Sequence, residues 1–393
     1  MSLSVLMPAD IRFPMERANG VQVVKTAAAL ARAGVHTTLM VRHSDPRPSD
    51  EILGLYGIEP HPELEIRRLP VLHRTGSFTL PRLAFLARSA AAVAAARGCL
   101  VFTRDLQLAD LLAGLGPVLS PVVYEAHAVE SLLYAERGQI YGTGERPSPR
   151  KARRLQKREA RVWRRVAGLV TTTQGIRESF EAAHGTRPNV AVVPNGCDVP
   201  LDRSFELPPA GEPRVVYAGQ LYPWKGVDVL VEAIARVPSA HLVILGGLEP
   251  EADMQRVRRL VASLGLNQRV ELPGTVPQNR VALELRRASV VVVPYLKSAM
   301  TERHTSPIKL FEALAAGRPI VASDLPSSRE VLQDGRDALL VPPGDAAALA
   351  AAIQKLIDDR LLAERLARRA FETAPKYSWD ARAARIRALL ESL

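Results

Sequence analysis

One carboxylate of the second half of the chain stands out because it lies in a short, otherwise apolar helix pattern. Residues 304–323, HTSPIKLFEALAAGRPIVAS, follow the strand-like run SVVVVP and contain Glu312. Ser306 is expected to cap the first free N–H groups, and Pro307 to occupy the first helical position. Gly317 suits the left-handed residue that ends a helix. The pattern therefore predicts a short helix of defined register.

The start of this helix is suited to an anionic ligand such as a phosphate. The first N–H groups of a helix lack intrahelical partners and carry the positive end of its dipole. Pro307 has no N–H, so Ile308 and Lys309 would supply the amides. Glu312 then has two interpretations: a surface pair with Lys309 one turn back, or a carboxylate that binds a partner that is not protein.

A second segment provides a cation. Residues 214–226, RVVYAGQLYPWKG, indicate a buried strand, a glycine turn and a loop that places Lys225 just before the helical pattern VDVLVEAIARV. A lysine there can neutralise a diphosphate without demanding planar geometry. The alternative is a solvated loop lysine, the usual state of this residue.

These segments, with VVPNGCD, LVILGG and VELPGTVP, give the chain its resemblance to a known family. It resembles a family 4 glycosyltransferase of GT-B fold over nearly its whole length, more specifically in the second half than in the first. The resemblance implies that Glu312 holds the ribose hydroxyls of a nucleotide and that Lys225 contacts its diphosphate. It also implies transfer with retention of anomeric configuration, and a last helix that crosses back to the N-terminal domain.

The chain departs from the family pattern at two donor positions. The family usually has Glu-x7-Glu, but the residue eight positions before Glu312 is His304. It usually has an arginine five residues before the lysine, where this chain has Gln220. His304 can hydrogen-bond a sugar hydroxyl and Gln220 can donate to a phosphate oxygen without adding charge. The sequence therefore predicts the type of activity more firmly than it predicts the identity of the donor.

The first half contributes further candidates. His127, in VVYEAHAVE, matches a histidine that family members place beside the donor sugar; from the residues alone it could be an ordinary polar loop residue. Gly20 matches the glycine loop that approaches donor phosphate, with a simple turn glycine as the alternative. Arg104 and Glu130 could face the acceptor.

The alternation of strand and helix patterns predicts two Rossmann-like, doubly wound parallel-sheet domains facing across a cleft, an α/β architecture. The expected division is residues 1–198, a linker at 199–212, and 213–376, with helix 377–393 crossing back. Within the first domain, residues 4–7 indicate a strand followed by a loop at 8–19, and residues 45–62 a proline-rich loop. At 393 residues, two cores are the natural expectation.

Composition narrows the function classes. Two cysteines, Cys99 and Cys197, exclude a disulfide framework and fit a reducing cytoplasm. The chain shows no signal-peptide pattern and no long apolar run, so we expect a cytoplasmic protein. Its charge of +11 is concentrated in residues 150–165, where nine basic residues stand against Glu159. This helix pattern either packs its thin apolar stripe on the N-terminal domain or contacts an anionic membrane; nucleic-acid binding is not expected.

Several chemistries lack their motifs. No G-x-G-x-x-G follows the first strand, there is no Walker loop, and no metal-binding pattern occurs. We therefore expect a metal-independent transfer with no resident cofactor, from a UDP-, GDP- or ADP-activated hexose to a glycan, lipid-linked or small-molecule acceptor. The main alternative is a catalytically inactive nucleotide-sugar-binding or scaffold protein, motivated by His304 and Gln220. An epimerase or phosphorylase of the same fold is a third possibility.

Overall fold

The computed structural model of the protein describes residues 3–15, 17–71, 79–96, 98–115, 120–140, 143–199, 204–208, 211–248 and 251–393. The chain divides into two compact units. The first contains Met1–Tyr134, Ser148–Asn195 and Trp379–Leu393, and the second contains Ala135–Pro147 and Gly196–Ser378.

The first unit contains a seven-stranded parallel sheet with strand order β3-β2-β1-β4-β5-β6-β7. The reversal of order beside β1 is the doubly wound arrangement. The strands are β1 (Ser4–Phe13), β2 (His36–His43), β3 (Leu64–Leu69), β4 (Leu100–Thr103), β5 (Val122–Ala126), β6 (Gly168–Thr171) and β7 (Val190–Val192).

Helices separate these strands along the chain, as parallel pairing requires. They are α1 (Ala18–Arg32), α2 (Ser49–Leu55), α3 (Thr79–Ala95), α4 (Leu106–Gly114), α5 (Glu130–Ile140), α6 (Pro149–Arg165) and α7 (Gln174–His184).

The second unit contains a six-stranded parallel sheet with order β10-β9-β8-β11-β12-β13. The strands are β8 (Arg214–Ala218), β9 (His241–Leu245), β10 (Val270–Gly274), β11 (Val290–Val293), β12 (Ile320–Ser323) and β13 (Leu339–Val341). The helices are η1 (a 3-10 turn, Pro223–Lys225), α8 (Val227–Ala235), α9 (Ala252–Ser263), α10 (Gln278–Arg287), α11 (Ala299–Arg303), α12 (Ile308–Ala316), α13 (Pro326–Arg329), α14 (Ala346–Asp358), α15 (Arg360–Thr373) and η2 (Ala374–Tyr377).

Both faces of the second sheet are apolar. On β8, Val215 and Tyr217 enter one core cluster, whereas Val216 and Ala218 enter the cluster on the opposite face. Successive side chains of a strand point to opposite faces, so a strand covered on both sides is apolar throughout. This burial explains why the strands of this half were predictable as continuous Val- and Leu-rich runs.

The last helix, α16 (Trp379–Glu391), belongs to the first unit and packs on α1. Arg382 of α16 is almost fully buried and forms an ion pair with Glu125 of β5. Its guanidinium also donates to the carbonyls of Val193, at 2.7 Å, and Pro194, at 2.6 Å. These charge-assisted bonds attach the C-terminal helix to the sheet of the first unit.

Two expectations about the first unit were wrong. Strand β1 continues past Pro8 to Phe13, where a loop had been predicted. Its pairing with β2 shifts register between Pro8 and Arg12, and such an irregularity accommodates a proline that cannot donate to the ladder. The predicted loop 45–62 contains helix α2, whose Ile52 and Leu53 are buried.

Residues 135–147 fall in the second unit, although the sequence analysis had placed them in the first domain. Glu136 accepts a hydrogen bond from the backbone of Met300, a residue of the same unit. Among the described residues, no helix is long and apolar enough to cross a membrane.

Candidate functional site

The candidate site of the second unit lies where β8 and β11 end. Lys225 is the last residue of η1, and Gly226 follows it with φ 71° and ψ 21°. The Gly226 backbone passes so close to the carbonyl of Pro294 that a Cβ on residue 226 would overlap it. The amide of Leu296 also donates to the carbonyl of Trp224 at 3.0 Å. The lysine is thereby held against the end of β11, at the carboxyl edge where open α/β sheets bind ligands.

Aromatic rings surround the Lys225 ammonium. Its Nζ donates to the Tyr295 hydroxyl at 3.0 Å and lies 3.8 Å from the centre of the Trp224 ring. Part of the side chain is exposed, yet the rings displace water from its charged end. This desolvation lowers the pKa of Lys225 to about 7. Within the described residues it forms no ion pair with a carboxylate.

Lys309 places a second ammonium in the same surroundings. It is 9% exposed, and its Nζ lies 3.9 Å from the centre of the Tyr217 ring and 4.5 Å from that of Tyr295. No described residue accepts a hydrogen bond from this Nζ. Burial lowers the pKa of Lys309 well below its usual value; the charge of Lys225 lowers it further, and that of Glu312 opposes the shift.

Lys309 belongs to the first turn of α12, which begins differently from the prediction. Pro307 is the N-cap rather than the first helical residue, so Ile308 is the first, and no side chain caps the helix. The prediction that Ser306 caps this helix was therefore wrong. Gly317 ends the helix with φ 62° and ψ 47°, as predicted. The helix start still directs backbone N–H groups and a positive dipole end outward.

Glu312 lies one turn further along α12 and is half-buried. Its Oε1 accepts a hydrogen bond from Nε2 of Gln278 at 2.7 Å. It forms no ion pair with Lys309 among the described contacts, which removes the simple surface-pair interpretation. The charge of Glu312 adds to burial in raising the pKa of Cys197, so the carboxylate faces the short segment that follows Asn195.

His304 and Gln220, the two departures from the family pattern, are buried and half-buried, respectively. His304 is 5% exposed and ends α11, a helix that the sequence did not predict. Burial, assisted by the charge of Arg303, lowers the pKa of His304 to about 4, so its ring is neutral at pH 7. The carbonyl of Gln220 accepts a hydrogen bond from the Tyr217 hydroxyl at 2.6 Å.

A separate polar cluster lies at the end of β5 in the first unit. His127 has its Nε2 3.4 Å from Oε1 of Glu125, but without the geometry of a hydrogen bond. Burial, then the charge of Arg104, lowers the pKa of His127 well below its usual value, so the contact joins a neutral ring to a carboxylate. Glu125 also accepts from Nε2 of Gln22 at 3.1 Å, and Gln22 in turn accepts from Arg104 at 2.8 Å.

Gly20 has other surroundings than predicted, whereas Glu130 is a half-buried polar residue. Gly20 is the third residue of α1, not a loop residue, and a Cβ there would overlap Met15. Close packing of Met15 is therefore a sufficient reason for glycine. Glu130 begins α5, and burial, with the charge of Glu159 next, raises its pKa.

The structure thus brings Lys225 and Lys309 together, and it places Glu312, Ser306, Pro307 and Ile308 on or beside the same helix. Sequence reasoning missed the three aromatic residues Tyr217, Trp224 and Tyr295. The available signal was the aromatic residue near the end of each strand pattern, in VVYAG and VVPY. Within the described residues, no group of three His, Cys, Asp or Glu side chains could hold a metal ion.

A parallel-sheet unit with two lysines and a helix start at one edge has the features of a protein suited to an anionic ligand. Comparison with known proteins identifies the family. Residues 19–196 match the family described as "Glycosyl transferase 4-like domain", and residues 212–359 match "Glycosyl transferases group 1". The chain belongs to the family 4 glycosyltransferases.

Individual relatives are more distant. A phosphatidyl-myo-inositol mannosyltransferase of Mycobacterium leprae is 34% identical over 244 residues, which are 59% of this chain and 61% of that protein. The chain spans less than two thirds of the length of the first relatives it matches.

Solved structures agree on the fold. Sucrose-phosphate synthase of Thermosynechococcus elongatus has a TM-score of 0.76 at 23% identity, covering 100% of this chain and 99% of that one. The Anabaena protein HepE, solved with UDP-glucose, has a TM-score of 0.72 at 18% identity, covering 100% of both chains. With its two parallel-sheet units, the chain has the GT-B fold.

Proposed function

We propose that this protein transfers a hexose from a nucleoside-diphosphate sugar to a glycan, lipid-linked or small-molecule acceptor. The observation that carries the proposal is the Lys225 ammonium at the carboxyl edge of the second sheet, without a carboxylate partner among the described residues. A cation that has lost part of its hydration and has no counter-charge is costly, so an anionic ligand is favoured there. Family membership makes a nucleotide sugar the anion of choice.

The reaction breaks the bond between the anomeric carbon of the sugar and the diphosphate and forms a bond between that carbon and an acceptor hydroxyl oxygen, whose proton passes to a phosphate oxygen of the donor. Negative charge grows on the leaving diphosphate while the sugar gains oxocarbenium character. Groups fixed in advance around the place where charge develops stabilise the transition state more than the ground state. Lys225 and the backbone N–H groups of Ile308 and Lys309 are proposed to fill this role.

The remaining donor contacts follow from the same helix and loop. Glu312 is proposed to accept hydrogen bonds from the ribose hydroxyls. These would replace the hydrogen bond that it now accepts from Gln278. His304, neutral at pH 7, is proposed to hydrogen-bond a sugar hydroxyl through a ring nitrogen. Gln220 would donate to a phosphate oxygen. His127 is proposed as a catalytic residue that hydrogen-bonds the sugar as a neutral imidazole.

The relatives suggest which donors and acceptors to try first. HepE was solved with UDP-glucose, and one relative is a mannosyltransferase that acts on phosphatidyl-myo-inositol. UDP- and GDP-hexoses therefore come first as donors, and inositol-containing lipids among the acceptors. We further propose that transfer retains anomeric configuration and needs neither a metal nor a cofactor. NMR of the product tests the first point, and activity after dialysis against a chelator tests the second.

The basic helix α6 is proposed as a site of peripheral membrane contact. Its apolar residues Val162 and Trp163 are buried in the core of the first unit, in agreement with one of the two interpretations of its stripe. Insertion of this stripe into a bilayer is therefore not proposed. The exposed basic residues remain available for electrostatic attraction to anionic lipid. They are Arg150, Lys151, Arg153, Arg154, Lys157, Arg164 and Arg165.

Calorimetry with UDP, GDP, ADP and their hexose derivatives tests the donor site. Lys225→Ala and Glu312→Ala should each weaken binding about tenfold or more, because each removes a charged hydrogen-bonding group. Lys355→Ala and Glu372→Ala change exposed charges of the same unit and serve as controls. Absence of nucleotide binding by the unaltered protein would refute the proposal. Binding without transfer to any acceptor would favour the inactive scaffold.

A further inference from the structure

Lys309 is a buried lysine of the second unit, and no ion pair among the described residues accounts for its burial. Its Nζ is buried, lies over the rings of Tyr217 and Tyr295, and has no hydrogen-bond acceptor among the described residues. Cation–π contacts compensate part of the lost hydration of an ammonium but leave its three N–H donors unused. An ammonium in these surroundings is destabilised unless a ligand supplies oxygen atoms that accept hydrogen bonds from its N–H groups.

The position of Lys225 indicates what kind of ligand this is. Both ammonium groups approach the Tyr295 ring, with Nζ of Lys225 at 4.6 Å and Nζ of Lys309 at 4.5 Å from its centre. When both amines are protonated and no anion is present, their like charges repel each other. A ligand with two adjacent negative groups removes this repulsion and fills the empty hydrogen-bonding positions of both lysines at once.

The backbone around Lys309 adds to the attraction for an anion. Lys309 lies in the first turn of α12, so its side chain and the free N–H groups belong to the same positive helix end. Its Nζ would be 3.5 Å from a Cβ on Gly219, which places the amine beside the loop that contains Gln220. Gln220 lacks the positive charge of the arginine that the family usually has at this position. Lys309 supplies a positive charge to the same region from helix α12.

We propose that the Lys309 ammonium is the second cation of the donor diphosphate site and shares the diphosphate with Lys225. This inference rests on the proposed function. It gives a role to the side chain of Lys309, whereas the sequence predicted a contact only from its backbone amide. Lys225 comes from the loop after β8 and Lys309 from the helix after β11, so the diphosphate would join two elements of one unit. The contacts of these two lysines would recognise the diphosphate and would not distinguish one base from another.

The test compares Lys309→Met with the unaltered protein for three probes: inorganic pyrophosphate, a nucleoside diphosphate and the matching nucleoside. Methionine keeps the length and apolar packing of the side chain but removes the charge. We expect affinity for pyrophosphate and for the diphosphate to fall about tenfold or more, and affinity for the nucleoside to change less than about twofold. If Lys309 only supported the fold, its replacement would lower the affinity for all three probes together or for none of them.

A rescue experiment makes the inference sharper. Because residue 220 belongs to the loop that lies beside the amine, Gln220→Arg in the Lys309→Met background should restore pyrophosphate affinity to within about threefold of the unaltered protein. Lys309→Gln replaces the methionine variant if the latter does not fold, and it is read in the same way. Lys355→Met is the control for loss of a lysine elsewhere in the unit.

The outcomes separate this inference from the proposed function. If the unaltered protein binds no nucleoside diphosphate and no pyrophosphate, the proposed function fails. If the unaltered protein binds both and Lys309→Met binds them equally well, the function stands and the role of Lys309 is wrong. Loss of nucleoside affinity in parallel with diphosphate affinity would likewise show that Lys309 only supports the fold.

Discussion

The backbone of Gly226 lies against the carbonyl oxygen of Pro294 so closely that no side chain fits between them. This contact joins the turn after Lys225 to the end of β11, where Tyr295 follows. The position of the lysine relative to the aromatic ring therefore depends on a residue without a Cβ. Gly226 also has φ 71°, a conformation that L-residues adopt only at a cost.

Gly226→Ala should accordingly damage both stability and donor binding. The left-handed conformation alone costs about 1–2 kcal/mol for a residue with a Cβ, and relief of the overlap with Pro294 must displace backbone in addition. Gly335→Ala is a matched control, because Gly335 has φ 69° but open space around it. Thermal unfolding should show a clearly larger loss for residue 226. Equal losses would mean that the Pro294 contact is unimportant.

Donor affinity should depend on pH through Lys225. Its pKa is about 7 in the ligand-free protein, and a diphosphate binds its protonated form. As pH rises from 7 to 9 the free protein loses this proton, so binding must be accompanied by proton uptake and the apparent affinity falls, at most about tenfold per pH unit for each proton.

Lys225 lies beside Tyr295, and Lys309 approaches the same ring and also faces Tyr217 and Glu312. The pKa of Lys309 is lowered as well, so its amine adds to the proton uptake. Burial raises the pKa values of both tyrosines, so neither ionises in this range. Calorimetry at pH 8 in buffers of different ionisation enthalpy measures the proton uptake directly. Lys225→Met should reduce it, and an affinity that stays constant from pH 7 to 9 would contradict the prediction.

The sequence was sufficient for local features of the site. Lys225 could be placed because a glycine and an amphipathic helix pattern follow it immediately, and Gly317 because it interrupts an apolar run. Helix α11 could not be predicted, since its five residues are too few to show a period. The start of α12 differed by one residue for a related reason: Ser-Pro fits both the cap and the first turn.

The aromatic surroundings of the lysines depend on the sheet instead. Tyr217 and Tyr295 are distant in the chain, and they come close because β8 pairs with β11, Val215 opposite Val290. Strand order is a tertiary property that alternating patterns do not encode. The same holds for Gln278, which reaches Glu312 from another helix. The two-sheet architecture was predictable, whereas the partners of each charged group were not.

The buried pair of Arg382 and Glu125 should be a major contribution to the stability of the first unit. Arg382→Met leaves Glu125 buried with Gln22 as a remaining partner, and loss of one member of a buried pair costs about 3–5 kcal/mol. For a domain of this size we expect Tm to fall by about 6–20 °C.

The exposed pair of Arg32 and Asp380 also joins α1 to the C-terminal helix and provides the comparison. Its side chains are 43% and 66% exposed, so Arg32→Met should cost less than about 1 kcal/mol. Glu125→Gln combined with Arg382→Met should recover part of the lost Tm, because no unpaired charge remains. Similar effects of Arg32→Met and Arg382→Met would show that burial of the second pair is unimportant.

Electrostatic membrane contact through α6 predicts binding to anionic vesicles that charge reversal abolishes. Arg153, Arg154 and Lys157 are exposed on one stretch of this helix. Each basic residue near an anionic surface contributes about 1 kcal/mol, so replacing all three by glutamate should lower the partition coefficient about a hundredfold or more in vesicle sedimentation. High salt should have a similar effect on the unaltered protein.

The control changes the same total charge elsewhere. Replacing Arg259, Arg287 and Lys355 by glutamate alters exposed residues of the second unit and leaves α6 intact. If binding arises from α6, this variant should retain most of its affinity for vesicles containing phosphatidylserine, and neither variant should bind neutral vesicles. Equal losses in the two variants would instead trace the attraction to the net charge of +11 and not to a defined surface.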